Sequence, residues 1–383
     1  MSVDMAKSGI FRVGFAAMLL GLVFLAVASA ETYYVSPTGD DNNPGTQAAP
    51  FKSIMRGVIK LQSSDTLALC AGNYKEPVTI SVKGTQENPV RIICQNGVVL
   101  LAAAPDAIVI KDSSWLLIQG LQVGGAEHAA ISIGKSDHVT ISQCIVAENA
   151  GYGIVSSLCD FITIEKSEVS GSKVKDGIYL ASTNHPTITD NKIKGNAQSG
   201  IYLNGNANEG GEGMITGANV SRNTITDNGQ QGGAGIRLDG VERSMFERNV
   251  VDHNYAGGIA SYQSDAARGG INNKFIGNMI RFASGAGTFG VVLRDGSYKA
   301  TLSDSIIAID NGPSVDVDNA SAKGFRASNN FYPSPGKTAT FVWKGERMSF
   351  DQWKTASGQD DDSHTATVDA GYGPGPGAPA AGK

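Results

Sequence analysis

Short alternations of apolar and polar residues recur along this chain, most of them entered through Gly or Ala. They begin at Ile131, Ile154, Ile178, Ile201, Ile236, Ile259 and Val291. The intervals are 23, 24, 23, 35, 23 and 32 residues, so a unit near 23 repeats and two copies are lengthened by insertions. Period-two alternation marks half-buried strands, and no unit carries a run of helical spacing. Units of this size, each one turn of chain with inward Ile, Val and Leu, describe a parallel β-solenoid whose coils stack at about 4.8 Å. Roughly eleven coils are expected between Asp65 and Asp310.

Each unit continues from its first strand, such as Gly177-Ile178-Tyr179-Leu180, through a polar turn to a corner of the Asn-x-Ile type. The corner residues are Cys144, Ser167, Asn191, Asn223, Asn249, Asn278 and Ser305. Asn tolerates left-handed backbone and its amide can bond to the coils above and below, so the recurrence predicts a stacked ladder. Open solenoid ends must be covered. Residues 51–62 have apolar positions at helical spacing and predict an N-terminal capping helix, preceded by a strand within 31–64. Residues 311–365 supply the C-terminal coils and cap through Phe341-Val342-Trp343 and Phe350 to Trp353, and 366–383, rich in Gly, Pro and Ala, read as a disordered tail.

Composition adds compartment and partners. Lys7 and Arg12 precede an apolar run, Phe15 to Val27, that ends in Ala28-Ser29-Ala30, the pattern of a signal peptide cleaved after Ala30. The expected product is secreted or periplasmic, monomeric, and free of any membrane-inserted segment. Without Asp4, Lys7 and Arg12 it carries 29 basic and 35 acidic side chains, net −6, which argues against a nucleic-acid partner. Four cysteines remain, Cys70, Cys94, Cys144 and Cys159. Cys70 and Cys94 are 24 residues apart, about one coil, so a bridge between them and four free thiols are both open.

The opening Tyr33-Tyr34-Val35-Ser36-Pro37-Thr38-Gly39-Asp40, then Ala49-Pro50-Phe51-Lys52-Ser53-Ile54 and Ala71-Gly72-Asn73-Tyr74, resembles that of secreted right-handed parallel β-helix proteins, including family 9 pectate lyases. The Gly-Ile coils are similar to the pectate-lyase-type repeat, and Trp353 to Ser363 resembles a terminal segment of the same group. The resemblance implies an all-β, right-handed parallel β-helix and a polysaccharide as partner. It also implies Ca²⁺ and a lysine base, yet the Asp-Asp-Gly cluster of family 9 lyases is absent and Lys175-Asp176-Gly177 echoes only part of it. Fold does not fix activity.

Alternation places candidate chemistry on the first sheet. One outward column reads Ser132, Val155, Tyr179, Tyr202, Arg237, Ala260, Val292, and the next reads Gly134, Ser157, Ala181, Asn204, Asp239, Tyr262, Arg294. Insertions after two strands predict loops at Glu209 to Thr216 and Gln263 to Gly270, flanking the Arg237 and Asp239 coil. Tyr179, Tyr202, Asn204 and Tyr262 are the expected sugar-binding residues, since aromatic faces stack on sugar rings. β-Elimination on a uronan needs charge beside the carboxylate and proton transfer. Arg237, Arg294, Asp239 and Lys175 are the catalytic candidates, with His253 more remote. Asp239, Glu209, Glu212 and Asp265 are the Ca²⁺ candidates. The expectation is a uronan lyase-like enzyme; the alternative is a non-catalytic carbohydrate-binding or surface-structural solenoid.

Overall fold

The computed structural model describes residues 30–281, 288–335 and 337–368. The expected signal peptide and residues 369–383 of the expected tail lie outside the described residues. Three twelve-stranded sheets wrap around one core in about eleven turns. Within each sheet, neighbouring strands come from successive coils and pair in parallel, as a solenoid requires. The first sheet runs from Val78–Ile80 to Phe341–Trp343 and closes on the antiparallel strand Glu346–Met348. The second runs from Thr32–Val35 to Arg326–Ser328, and the third from Gly72–Tyr74 to His364–Val368.

Register follows the sequence repeat. Ile131, Ile154, Ile178, Ile201, Ile236, Ile259 and Val291 oppose one another strand by strand, and all are fully buried. Each such side chain stabilises the coil by about 1.5–3 kcal/mol relative to exposure. Where a strand begins, the third-sheet strand of the same turn leaves no room for a side chain: a Cβ on Gly235 would overlap the Val251 side chain.

The corner ladder forms along its predicted column. The Cys144 N–H donates to Ser167 Oγ at 3.0 Å and the Ser167 N–H to Asn191 Oδ1 at 2.9 Å. Further along, Asn223, Asn249 and Asn278 Oδ1 each accept both the N–H and the side-chain amide of the preceding Asn in the column at 3.0–3.1 Å. The left-handed backbone, however, belongs to the residue before each ladder member: Lys166, Asp190, Arg222 and Arg248 have φ of 50, 58, 56 and 52°. That placement leaves the buried Asn amide free to bond.

Three expectations change. The helix is only Ile54–Val58, N-capped by Ser53, shorter than the predicted 51–62 because Lys60 and Leu61 close tight turns on Gly57 and Val58. Cys94 opposes Leu69, one residue out of step with Cys70, so the coil spans 25 residues there; all four cysteines are free thiols. Ala366 to Val368, assigned to the tail by composition, continue the strand that pairs with Phe331–Pro335.

Candidate functional site

Both outward columns of the first sheet are realised in register, the second as far as Tyr262, since the strand that would carry Arg294 ends at Leu293. Tyr179, Tyr202 and Arg237 lie side by side on consecutive strands, and Ala181, Asn204, Asp239 and Tyr262 follow two residues later. Tyr179 and Tyr202 have ring centroids 5.1 Å apart, and Tyr152 stacks on Tyr179 at 5.2 Å and 18°. The Arg237 guanidinium covers the face of Tyr202 at 4.1 Å, lies 5.2 Å from the Tyr262 ring, and donates from Nε to the Tyr262 hydroxyl. A row of three rings thus ends in a cation held between two tyrosines. Cation–π contact and the phenol bond together fix the guanidinium plane.

Burial keeps these phenols protonated. It pushes Tyr152 up to about 12, raises Tyr179, and raises Tyr202 further still. They are hydrogen-bonding and stacking groups, not bases, near neutral pH. Tyr179 Oη receives a hydrogen bond from Asn204 Nδ2 at 3.2 Å.

The two inserted loops meet over the end of the Asp239 strand. The Ala207 N–H donates to the Asp265 carbonyl and the Ala267 N–H to the Gly213 carbonyl, both at 2.9 Å. Asp239 anchors this junction. It is fully buried and its oxygens accept from the N–H groups of Ser264, Asp265 and Ala266 at 2.9, 2.8 and 3.3 Å, with the Tyr202 hydroxyl at 3.4 Å. Gly240, at φ 65°, lets the loop pack this closely, since a Cβ there would overlap that of Ala266. Arg268 ties the loop to the buried Glu242 at 2.8 Å.

The other expected residues divide. Glu209 reaches back across the strip, accepting from Ser157 Oγ at 2.6 Å and Asn206 Nδ2 at 2.8 Å. Asp265 meets Asn204 Nδ2 at 3.4 Å, whereas Glu212 is exposed. Among the described residues no three His, Cys, Asp or Glu side chains are grouped closely enough to hold a metal ion, and both Asp239 oxygens are engaged by backbone N–H groups. Arg294 is exposed and ion-paired to Asp316 at 2.5 Å, away from the ring row. His253 lies at a corner after the third sheet, paired with Asp252 at 2.7 Å. Lys175 joins the strip, its ammonium 5.9 Å from the Tyr152 ring.

Tyr152 and Asp176 were not among the expected residues. Asp176 is buried at the entrance to the Tyr179 strand and accepts the Ser199 N–H at 2.7 Å. Burial raises its pKa, against the opposing pull of Ser199, Arg237 and Lys175. The Lys175-Asp176-Gly177 triplet was the available signal for it.

Comparison with known proteins agrees on architecture. Residues 33–158 match the Pel9A-like right-handed β-helix region, and residues 106–280 match the right-handed β-helix region. A 240-residue stretch is 26% identical to the uncharacterized protein YwoF of Bacillus subtilis strain 168, spanning 58% of this chain and 47% of that protein's length. Among solved structures, pectate lyase Pel9A is 16% identical with a TM-score of 0.52, covering 78% of this chain and 80% of its own. An alginate lyase from Paenibacillus sp. FPU-7 is 16% identical with a TM-score of 0.57, over 76% and 96%. A GH136 lacto-N-biosidase from Eubacterium ramulus is 12% identical with a TM-score of 0.63, over 88% and 68%. At such identities the likeness is one of fold.

Proposed function

We propose that this chain, which belongs to the right-handed β-helix proteins, acts outside the cytoplasm on an acidic polysaccharide laid along its first sheet, as a uronan lyase. The observation that carries the reading is the Arg237 guanidinium held over the Tyr202 ring at the end of a row of rings. Solved neighbours that include a pectate lyase and an alginate lyase support it. Arg237 pairs with a uronate carboxylate and lowers the barrier to losing the proton at C5. A solvent base takes that proton, the electron pair forms the C4–C5 double bond, and the C4–O bond breaks, while Lys175, at the Tyr152 end of the row, holds a further carboxylate of the polysaccharide. Tyr179, kept as a phenol by burial, protonates the leaving oxygen.

The test is the near-ultraviolet absorbance of unsaturated uronate ends, followed on a panel of uronans. Product formed by the native protein and lost in Arg237→Ala supports the lyase. The engagement of Asp239 and Glu209 in loop structure favours a second reading, a binding module. No product, with uronans still retarding the native protein in an affinity gel but not Arg237→Ala, establishes that reading instead.

A further inference from the structure

A second groove lies on a different face, the outer side of the second sheet. In its C-terminal half Met245, Lys274, Thr301 and Arg326 oppose one another on consecutive strands. Two residues earlier, in the left-handed corners that lead into these strands, come Arg243, Asn272, Lys299 and Gly324. Cations therefore alternate between two adjacent rows, Arg243, Lys274, Lys299, Arg326, one per coil. At the spacing of paired strands they cover roughly 14 Å along the axis. Two adjoining cavities, about 550 and 400 Å³, share Asn272 and Lys274 in their walls, and the four cations line them.

These charges are largely uncompensated. Lys274, Lys299 and Arg326 are exposed and make no ion pair among the described residues, while Arg243 shares the Glu242 carboxylate with Arg268. The acid lining the groove, Glu247, is paired with Arg248 at 3.3 Å. Beyond Glu247 the adjacent row is neutral, with Ile276, Ser303 and Ser328. A protein of net charge −5 that sets four cations in line, one per coil, offers a match to a ligand bearing one negative charge per repeat.

We infer that this groove on the second sheet is a separate binding track for a polyuronate chain, holding polymer while the first sheet works on it. The inference rests on the polysaccharide reading above. It is tested with purified protein by affinity electrophoresis in gels containing polygalacturonate, alginate, a neutral xylan or duplex DNA, at two salt concentrations. The variants are the triple Lys274→Gln, Lys299→Gln, Arg326→Gln, its charge-conserving counterpart Lys274→Arg, Lys299→Arg, Arg326→Lys, and Arg237→Ala. The expected result is polyuronate binding weakened about tenfold and made less salt-sensitive in the Gln triple, restored in the charge-conserving triple, with xylan behaviour unchanged. Product formation on short oligouronates persists in the Gln triple, because the first-sheet residues are intact. Unchanged polyuronate retardation in the Gln triple, alongside its loss in Arg237→Ala, overturns the groove and leaves the first-sheet reading standing. A native protein that no polyuronate retards overturns both. Loss of DNA retardation without loss of polyuronate retardation overturns it in favour of a nucleic-acid surface.

Discussion

A carboxylate whose oxygens are engaged by three backbone N–H groups has little capacity left for a substrate, and Asp239 is in that position. Asp239→Ala would leave those donors buried without an acceptor, a loss of about 3–5 kcal/mol, and Asp239→Asn, which keeps one acceptor oxygen, loses less. Urea denaturation checks the order, with limited proteolysis reporting release of the 263–270 loop; an unchanged midpoint in Asp239→Ala would return the residue to the list of catalytic groups. Asp176 carries the opposite pH signature from a salt-bridged acid. Its folded pKa is raised, so the unfolded chain releases the proton first and stability falls as pH rises from the ordinary Asp range through the raised value. Asp176→Asn keeps an oxygen for the Ser199 N–H and removes that titration, so the native-minus-variant difference in urea midpoint should decline over that window; a flat difference refutes the assignment. Alternation located the Asp239 column correctly but carries no information on whether an inserted loop folds over it. Parity groups Tyr152 with the inward Ile154. At the first residue of its strand the chain is still leaving the corner, so the ring reaches Tyr179 instead.

The Asn ladder is the element most open to reading from sequence, because its members keep phase with the strand repeat. Each interior member serves two coils: Asn249 Nδ2 donates to the Val220 carbonyl at 2.9 Å and to Asn278 Oδ1 at 3.0 Å, while its Oδ1 accepts from Asn223. Asn249→Ala should therefore cost about 2–4 kcal/mol by leaving several buried groups unpaired, and more than Ser305→Ala near the end of the column. Thermal unfolding of the two variants gives the comparison, and equal midpoints would mean the amides merely fill space. A second ladder, Asn196, Asn228 and Asn254, stands five residues after Asn191, Asn223 and Asn249 and bonds in the same way at 2.8–3.1 Å. Its constant offset was a signal in the sequence. The groove cations had no such signal, since intervals of 31, 25 and 27 residues become a line only when insertions are absorbed into loops.

At the scale of the molecule, each coil contacts mainly its neighbours, so stability is close to a sum of stacking terms and the two ends decide how fraying begins. The C-terminal end is closed by the helix Phe350–Ser357, whose Trp353 is fully buried against Phe341 and Trp343 with ring centroids at 5.2 and 5.4 Å. Trp353 Nε1 donates to Asp360 Oδ2 at 2.9 Å, the oxygen that also accepts the Tyr332 hydroxyl at 3.0 Å, while Asp360 Oδ1 accepts from Asn330 Nδ2 at 3.0 Å. One carboxylate thus joins the helix to the last coil. Trp353→Ala removes both the packing and the donor, and should cost about 3–5 kcal/mol. Because the loss falls at an end, unfolding should begin there while the central coils hold, and the strand edges so uncovered should pair between molecules. Hydrogen exchange read by mass spectrometry would show protection lost first across 326–368 with 131–260 unchanged, and light scattering would show concentration-dependent association. Uniform loss of protection across all coils would instead mean that the solenoid unfolds as one cooperative unit, and that its stability is not partitioned coil by coil.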